Sequence, residues 1–295
     1  MLVQVWLALL VVCFVIVSNS PIAADDLADQ HRRIYQDAVA DPNNQSKVDA
    51  FIATLVEAPR GSGKYIVEGD IVLARAEIQS YLKSLRNPSP RQVSSEELIV
   101  NVSGGKFDYL ENPAQRKMTY VLDRPSFPAP HNAELVRNNF RRAADEWEAT
   151  CPECGVQFIE ASQSDVSRGT ARPYFVVKYE DVAAGPIARA FFPSSAPDER
   201  SVAVFPGYFD PNLAFDPVGV FRHEIGHILG YRHEHIRNIP GCYTEGSEWK
   251  PLTPYTPNSV MHYFCGGGGS MDLSIREADK KGHRCLYLTG QACVQ

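Results

Sequence analysis

Three histidines, at positions 223, 227 and 233 of a 295-residue chain, restrict its fold more than any other feature. His223 and His227 stand four apart, so on a helix their imidazoles share one face and converge on a common point. His233 lies too far along for the same straight helix to bring it there. The chain must leave the helix between them, and Gly230 provides the place, because glycine enters the left-handed region at little cost. Three imidazoles with a fourth position left open form a catalytic rather than a structural zinc arrangement. We therefore expect one Zn2+ ion on His223, His227 and His233. Glu224, directly beside a ligand, is placed to act as general base toward a water molecule.

The chain divides near residue 113. Residues 1–24 carry no charge, and the thirteen from Val5 to Val17 are continuously apolar. That run is short for a bilayer but suits the core of a signal peptide. Cleavage is expected before Asp25, with an uncleaved anchor as the alternative, and no other stretch could span a membrane. Amphipathic patterns predict helices over 26–39, 46–56 and 74–85, the last stopped by the Asn87-Pro88-Ser89-Pro90 break. Residues 114–295 read as α/β. Strands are expected over 118–122, 156–160, 174–179, 187–192 and 201–205, and a helix over 133–150 with Leu135, Phe140 and Trp147 toward the sheet. Asp216-Pro217 starts the histidine-bearing helix as cap and first residue. A last helix is expected over 273–287, capped by Ser274 with Glu277 three residues on.

Cysteine usage agrees with export. Outside the leader there are six, Cys151, Cys154, Cys242, Cys265, Cys285 and Cys293, an even number that favours disulfides. Pairs 242–265 and 285–293 are expected. Cys151 and Cys154 fit a local disulfide, half of a thiolate metal site or a redox pair. Residues 25–112 hold 10 basic and 14 acidic groups and 113–295 hold 19 and 21, so neither half offers the basic stripe that a nucleic-acid partner requires.

Residues 223–233 resemble the zinc signature of the metzincin endopeptidases. Ser259-Val260-Met261-His262-Tyr263 is similar to the Met-turn of that clan. The resemblance implies a twisted mixed sheet, an active-site helix and a Met-turn subdomain, an α+β arrangement within the α/β class. It also implies that Met261 packs beneath the histidines and that Tyr263 assists the transition state. Tyr263 and Glu234 resemble the astacin version, whereas 118–122 and 185–193 resemble the matrixins. Arg189 stands where matrixins carry a histidine for a second zinc, so no second ion is expected there. Glu68-Gly69-Asp70 resembles the astacin pro-segment motif, which implies that 25–113 is a helical pro-segment whose Asp70 fills the fourth zinc position. The activity implied is a secreted (or periplasmic) zinc endopeptidase, made as a zymogen and acting on protein or peptide. The substrate would lie against an edge strand at 202–205. A zinc-bearing scaffold without activity and a zinc hydrolase of non-peptide amides are the alternatives.

Overall fold

The computed structural model describes residues 24–57, 61–67, 71–86, 98–182, 186–237, 239, 242, 248–263 and 265–293. All of the expected leader except Ala24, and the whole Glu68-Gly69-Asp70 motif, lie outside them. The described chain is a mixed α/β protein with seven helices and three sheets.

A small N-terminal unit contains α1 (Ala24–Ala40), α2 (Gln45–Ile52), strands β1 (Val56–Glu57), β2 (Lys64–Val67) and β3 (Ile71–Ala74), and α3 (Arg75–Arg86). Its helices bury Ala38, Val48, Phe51, Ile52, Ile78 and Leu82 in a core of their own. Helix α2 is capped by the Asn44 side chain and ends sooner than the pattern over 46–56 predicts. Val56 instead pairs with Ile66 in a three-stranded antiparallel sheet, so strand pairing overrides the local helical period. The unit meets the rest of the protein where Ile66 packs on Ala203 and Phe205, and where Lys64 pairs with Glu199.

The larger unit begins with β4 (Ile99–Ser103) and β5 (Lys106–Phe107), continues through β6 (Lys117–Leu122) and α4 (Pro130–Thr150), and then β7 (Gln157–Glu160), α5 (Gln163–Ser167) and β8 (Phe175–Tyr179). Strands β9 (Ala188–Arg189) and β10 (Ser201–Val204) precede α6 (Pro217–Ile228). The chain closes with β11 (Tyr231–Arg232), β12 (Trp249–Pro251) and α7 (Glu277–Thr289). The main sheet has the order β7-β6-β8-β10-β9, parallel throughout except for β9. Phe140 on α4 ties the layers together, its ring lying 4.9 Å from Tyr120 of the sheet and 5.6 Å from Phe221 of α6.

Four expectations are corrected. Strand β10 runs between β8 and β9, so 202–205 is interior and β9 is the outer strand among the described residues. Leu135 is 45 % exposed, because the buried face of α4 runs through Ala133, Val136, Phe140, Ala143 and Trp147 and turns residue 135 outward. The last helix starts at Glu277 rather than at 273. Leu273 sits at φ 43, Ser274 gives its hydroxyl to Asp272, and the Asp279 carboxylate accepts the Arg276 N–H instead. Strand β4, which a division at 113 leaves with the first unit, is inserted between β11 and β12, with Leu98 and Val100 in the large core.

Disulfides join Cys151 to Cys154, Cys242 to Cys265 and Cys285 to Cys293, which settles the ambiguous first pair as a local bridge. Among the described residues no helix is long and apolar enough to cross a membrane.

Candidate metal centre

Helix α6 is fixed at its start by Asp216, whose carboxylate accepts the Val218 N–H, with Pro217 in the first turn. Arg222 locks its outer side through Glu146 on α4 and through Asp216, at 2.6 and 2.9 Å. The helix ends where Gly230 adopts φ +96°. Any Cβ there would also fall 2.0 Å from the Asp108 carbonyl oxygen, so Gly230 answers to both backbone conformation and close approach.

That exit returns His233 to the first two histidines. One ring nitrogen from each of His223, His227 and His233 lies within 4.8 Å of the others, and all three residues are buried. The Nε2 atoms of His223 and His233 are 3.2 Å apart. A tetrahedral ion with Zn–N bonds of about 2.0–2.1 Å spaces its nitrogens by about 3.3–3.4 Å, so this gap suits one ion. The opposite nitrogens are occupied: His223 Nδ1–H donates to the Val260 carbonyl and His227 Nδ1–H to the Tyr231 carbonyl, both at 2.8 Å. Each bond fixes the tautomer and leaves the Nε2 lone pair for a metal. Two imidazoles oriented in this way, with His233 beside them, can hold a metal ion.

Glu224 is 3 % exposed and, with His223, lines a cavity of about 370 Å³ whose other walls include Ile187, Phe215, Val220 and Leu273. A carboxylate beside an apolar hollow next to a histidine cluster is positioned to exchange a proton with water there. Tyr263 borders the same cavity and its ring centroid lies 4.2 Å from that of His233. Met261 is fully buried beneath α6, and a Cβ on Gly226 would meet its sulfur at 2.3 Å. His235 stacks on Tyr263 and lies outside the three-histidine cluster. His262 is engaged elsewhere: its Nδ1–H donates to the Tyr263 carbonyl and its Nε2 meets the Tyr255 hydroxyl, while burial pushes its pKa below the ordinary histidine range. Glu234, fully buried, is ion-paired to Arg237 at 2.9 Å. Arg189 is buried and paired with Glu180.

Sequence reading missed the support beneath these groups. Asp279 of α7 accepts the Ser259 hydroxyl and the Val260 N–H, at 2.6 and 3.1 Å, and so fixes the carbonyl that orients His223. Strand β4 holds β11 through pairs Val100–Tyr231 and Ile99–Arg232. An available signal was the pairing of Asp279 and His283 one turn apart on a helix whose remaining inner face is apolar.

No protein-family model matches the chain, and no curated protein matches it. Among solved structures, the chain is similar to the GM1-bound form of the ECX AB5 holotoxin at 14 % identity, over 67 % of this chain and 90 % of that one, with a TM-score of 0.43. A likeness so slight carries no argument about fold or function. The metzincin membership expected from 223–233 and 259–263 is therefore corrected: the comparisons give no evidence for that family and return a toxin chain instead, and two short runs do not establish descent.

Proposed function

We propose that this protein is a zinc-dependent endopeptidase that acts outside the reducing cytoplasm. The observation that carries the reading is the convergence of three imidazoles, two of them oriented by backbone carbonyls, beside buried Glu224 in the wall of an apolar cavity. An all-imidazole donor set suits zinc and leaves room for a fourth ligand. A zinc ion at His223, His227 and His233 would supply Lewis-acid polarisation of a carbonyl and bring the pKa of a coordinated water to about 7.

The chain's own residues supply the rest. Glu224 takes a proton from water as the oxygen attacks the peptide carbonyl, then delivers it to the amine nitrogen as the C–N bond breaks. The products are one carboxylic acid and one amine, with one water consumed. Ile187 and Ala188 line the cavity at the outer strand β9, where an extended substrate can pair with the backbone. Phe215, Val220 and Leu273 favour an apolar substrate side chain in the hollow. Tyr263, whose ring lies beside that of His233, donates to the developing oxyanion in this reading. Three disulfides fit an oxidising compartment. Residues 25–113 include the hairpin that docks on β10 through Ile66, and this contact supports a pro-segment role.

The test compares the full chain with Glu224→Gln for zinc content and for cleavage of an unfolded protein. We expect one zinc in each, with hydrolysis abolished by chelation and reduced roughly 10²- to 10⁴-fold by the substitution. Zinc uptake without cleavage of any peptide would favour a scaffold or a non-peptide amidase. A chain that takes up no zinc would end the proposal.

A further inference from the structure

Helix α7 touches the surroundings of the histidine cluster at three successive turns. Asp279 holds the 259–260 turn, His283 meets Tyr231, and the Tyr287 hydroxyl donates to the Leu229 carbonyl at 3.0 Å. The three are spaced i, i+4 and i+8, so one face of one helix reaches Leu229 and Tyr231 and also the turn that contacts His223. The first contact sets the carbonyl that orients His223. The third pins the last turn of α6, immediately before Gly230.

The second contact bears on His227. Tyr231 is fully buried, its hydroxyl shares a hydrogen bond with His283 Nδ1 at 2.7 Å, and its ring stacks on Trp147 at 5.7 Å. Trp147 donates in turn to the Arg222 carbonyl of α6. The Tyr231 carbonyl accepts from His227 Nδ1. A shift of Tyr231 therefore moves the oxygen that sets the tautomer and direction of the second imidazole. We propose that His283 is a positioning residue for the metal centre, holding Tyr231 so that its carbonyl aims His227 Nε2 at the shared point. This rests on the reading that the three histidines bind a metal. Burial holds the His283 imidazole neutral. His283 is fully buried among Trp147, Tyr231 and Tyr287 and is not among the residues that line the cavity.

The experiment uses the full chain and the variants His283→Leu, His283→Asn and Tyr231→Phe. Zinc affinity is measured against a competing chelator, the visible spectrum of the Co2+-loaded form reports ligand geometry, and melting of the metal-free form reports stability. Leucine should weaken zinc roughly 10- to 100-fold and alter the cobalt bands, as loss of an outer support does. Asparagine, which can still accept from Tyr231, should recover most of the affinity. Tyr231→Phe removes only the hydroxyl and should reproduce the leucine result even if His283→Leu fails to fold. Wild-type zinc affinity in Tyr231→Phe overturns the positioning role and leaves the metal centre standing. A wild-type chain that binds no zinc overturns the metal centre itself, and this proposal with it.

Discussion

The two units of the chain are held together in different ways. The N-terminal unit has a single core of six buried side chains, contributed by three helices that follow one another closely in sequence. The larger unit joins sheet, α4, α6 and α7 around Phe140, Trp147 and Phe221, and its pairings bring together residues far apart in the chain. The three histidines lie in the second kind of environment. The lesson is that imidazoles can be aimed at one point only where several layers fix each of them, whereas a locally built unit can dock, shield or leave. The contact between the units is correspondingly small, centred on Ile66 with the Lys64–Glu199 pair beside it.

The sharpest way to break the contrast is truncation. A chain starting at residue 98 retains β4 and should fold, bind zinc and cleave faster than the full chain once the docked unit is gone. A chain starting at 114 loses the strand on which β11 is built and should fail to fold, as circular dichroism and zinc binding would show. Equal behaviour of the two would mean that β4 is dispensable. A smaller effect is expected from Phe51→Ala, which should cost the N-terminal unit about 3–5 kcal/mol. Calorimetry should then show an early transition of that unit with the later one unmoved; a joint shift would mean the units unfold together.

Gly226→Ala acts inside the large unit. The added methyl displaces the Met261 sulfur, and we expect about 1–3 kcal/mol of destabilisation with weaker zinc binding; an unchanged melting temperature would show that Met261 yields freely. The most gradual effect is acid sensitivity. Desolvation first, then the cations of Arg116 and Arg284, lower the His283 pKa to about 3. Between its ordinary value and that pH the unfolded chain binds a proton that the folded chain refuses. Stability conferred by neutral His283 is therefore complete above the ordinary histidine pKa and is lost as pH falls toward 3, at most on the order of 1 kcal/mol per pH unit. Denaturant titrations of metal-free wild type and His283→Asn across this range should diverge; parallel curves would contradict the shift.

What could be read in the sequence was what depends on neighbours in the chain. The helix of His223 and His227, its Asp216-Pro217 start and its Gly230 exit are local features, and each is found where expected. The expected disulfide pairs 242–265 and 285–293 are also found. Strand β4 could not be read, because Ile99 and Val100 become a strand only between two partners made much later. The interior place of β10 was missed although a strand was expected over 187–192, because local pattern does not name a strand's partner, and only Ala188 and Arg189 pair with β10. Family resemblance failed for a related reason: motifs report the geometry a metal needs, and that geometry is open to chains of different ancestry.

The insertion of β4 between β11 and β12 also sets a timetable. During synthesis Ile99 and Val100 emerge long before Tyr231 and Trp249, and at about 5–20 residues per second they wait on the order of ten seconds for either partner. Strand β5 can cover Val102 and Ser103 early, but throughout that interval both flanks of Ile99 and Val100 are open to association with other chains. The histidine cluster, framed by the same strands and completed by α7, cannot assemble before the chain is nearly finished. The protein therefore spends its most aggregation-prone moments before its metal site exists, and its yield in a cell depends on whatever guards that one strand.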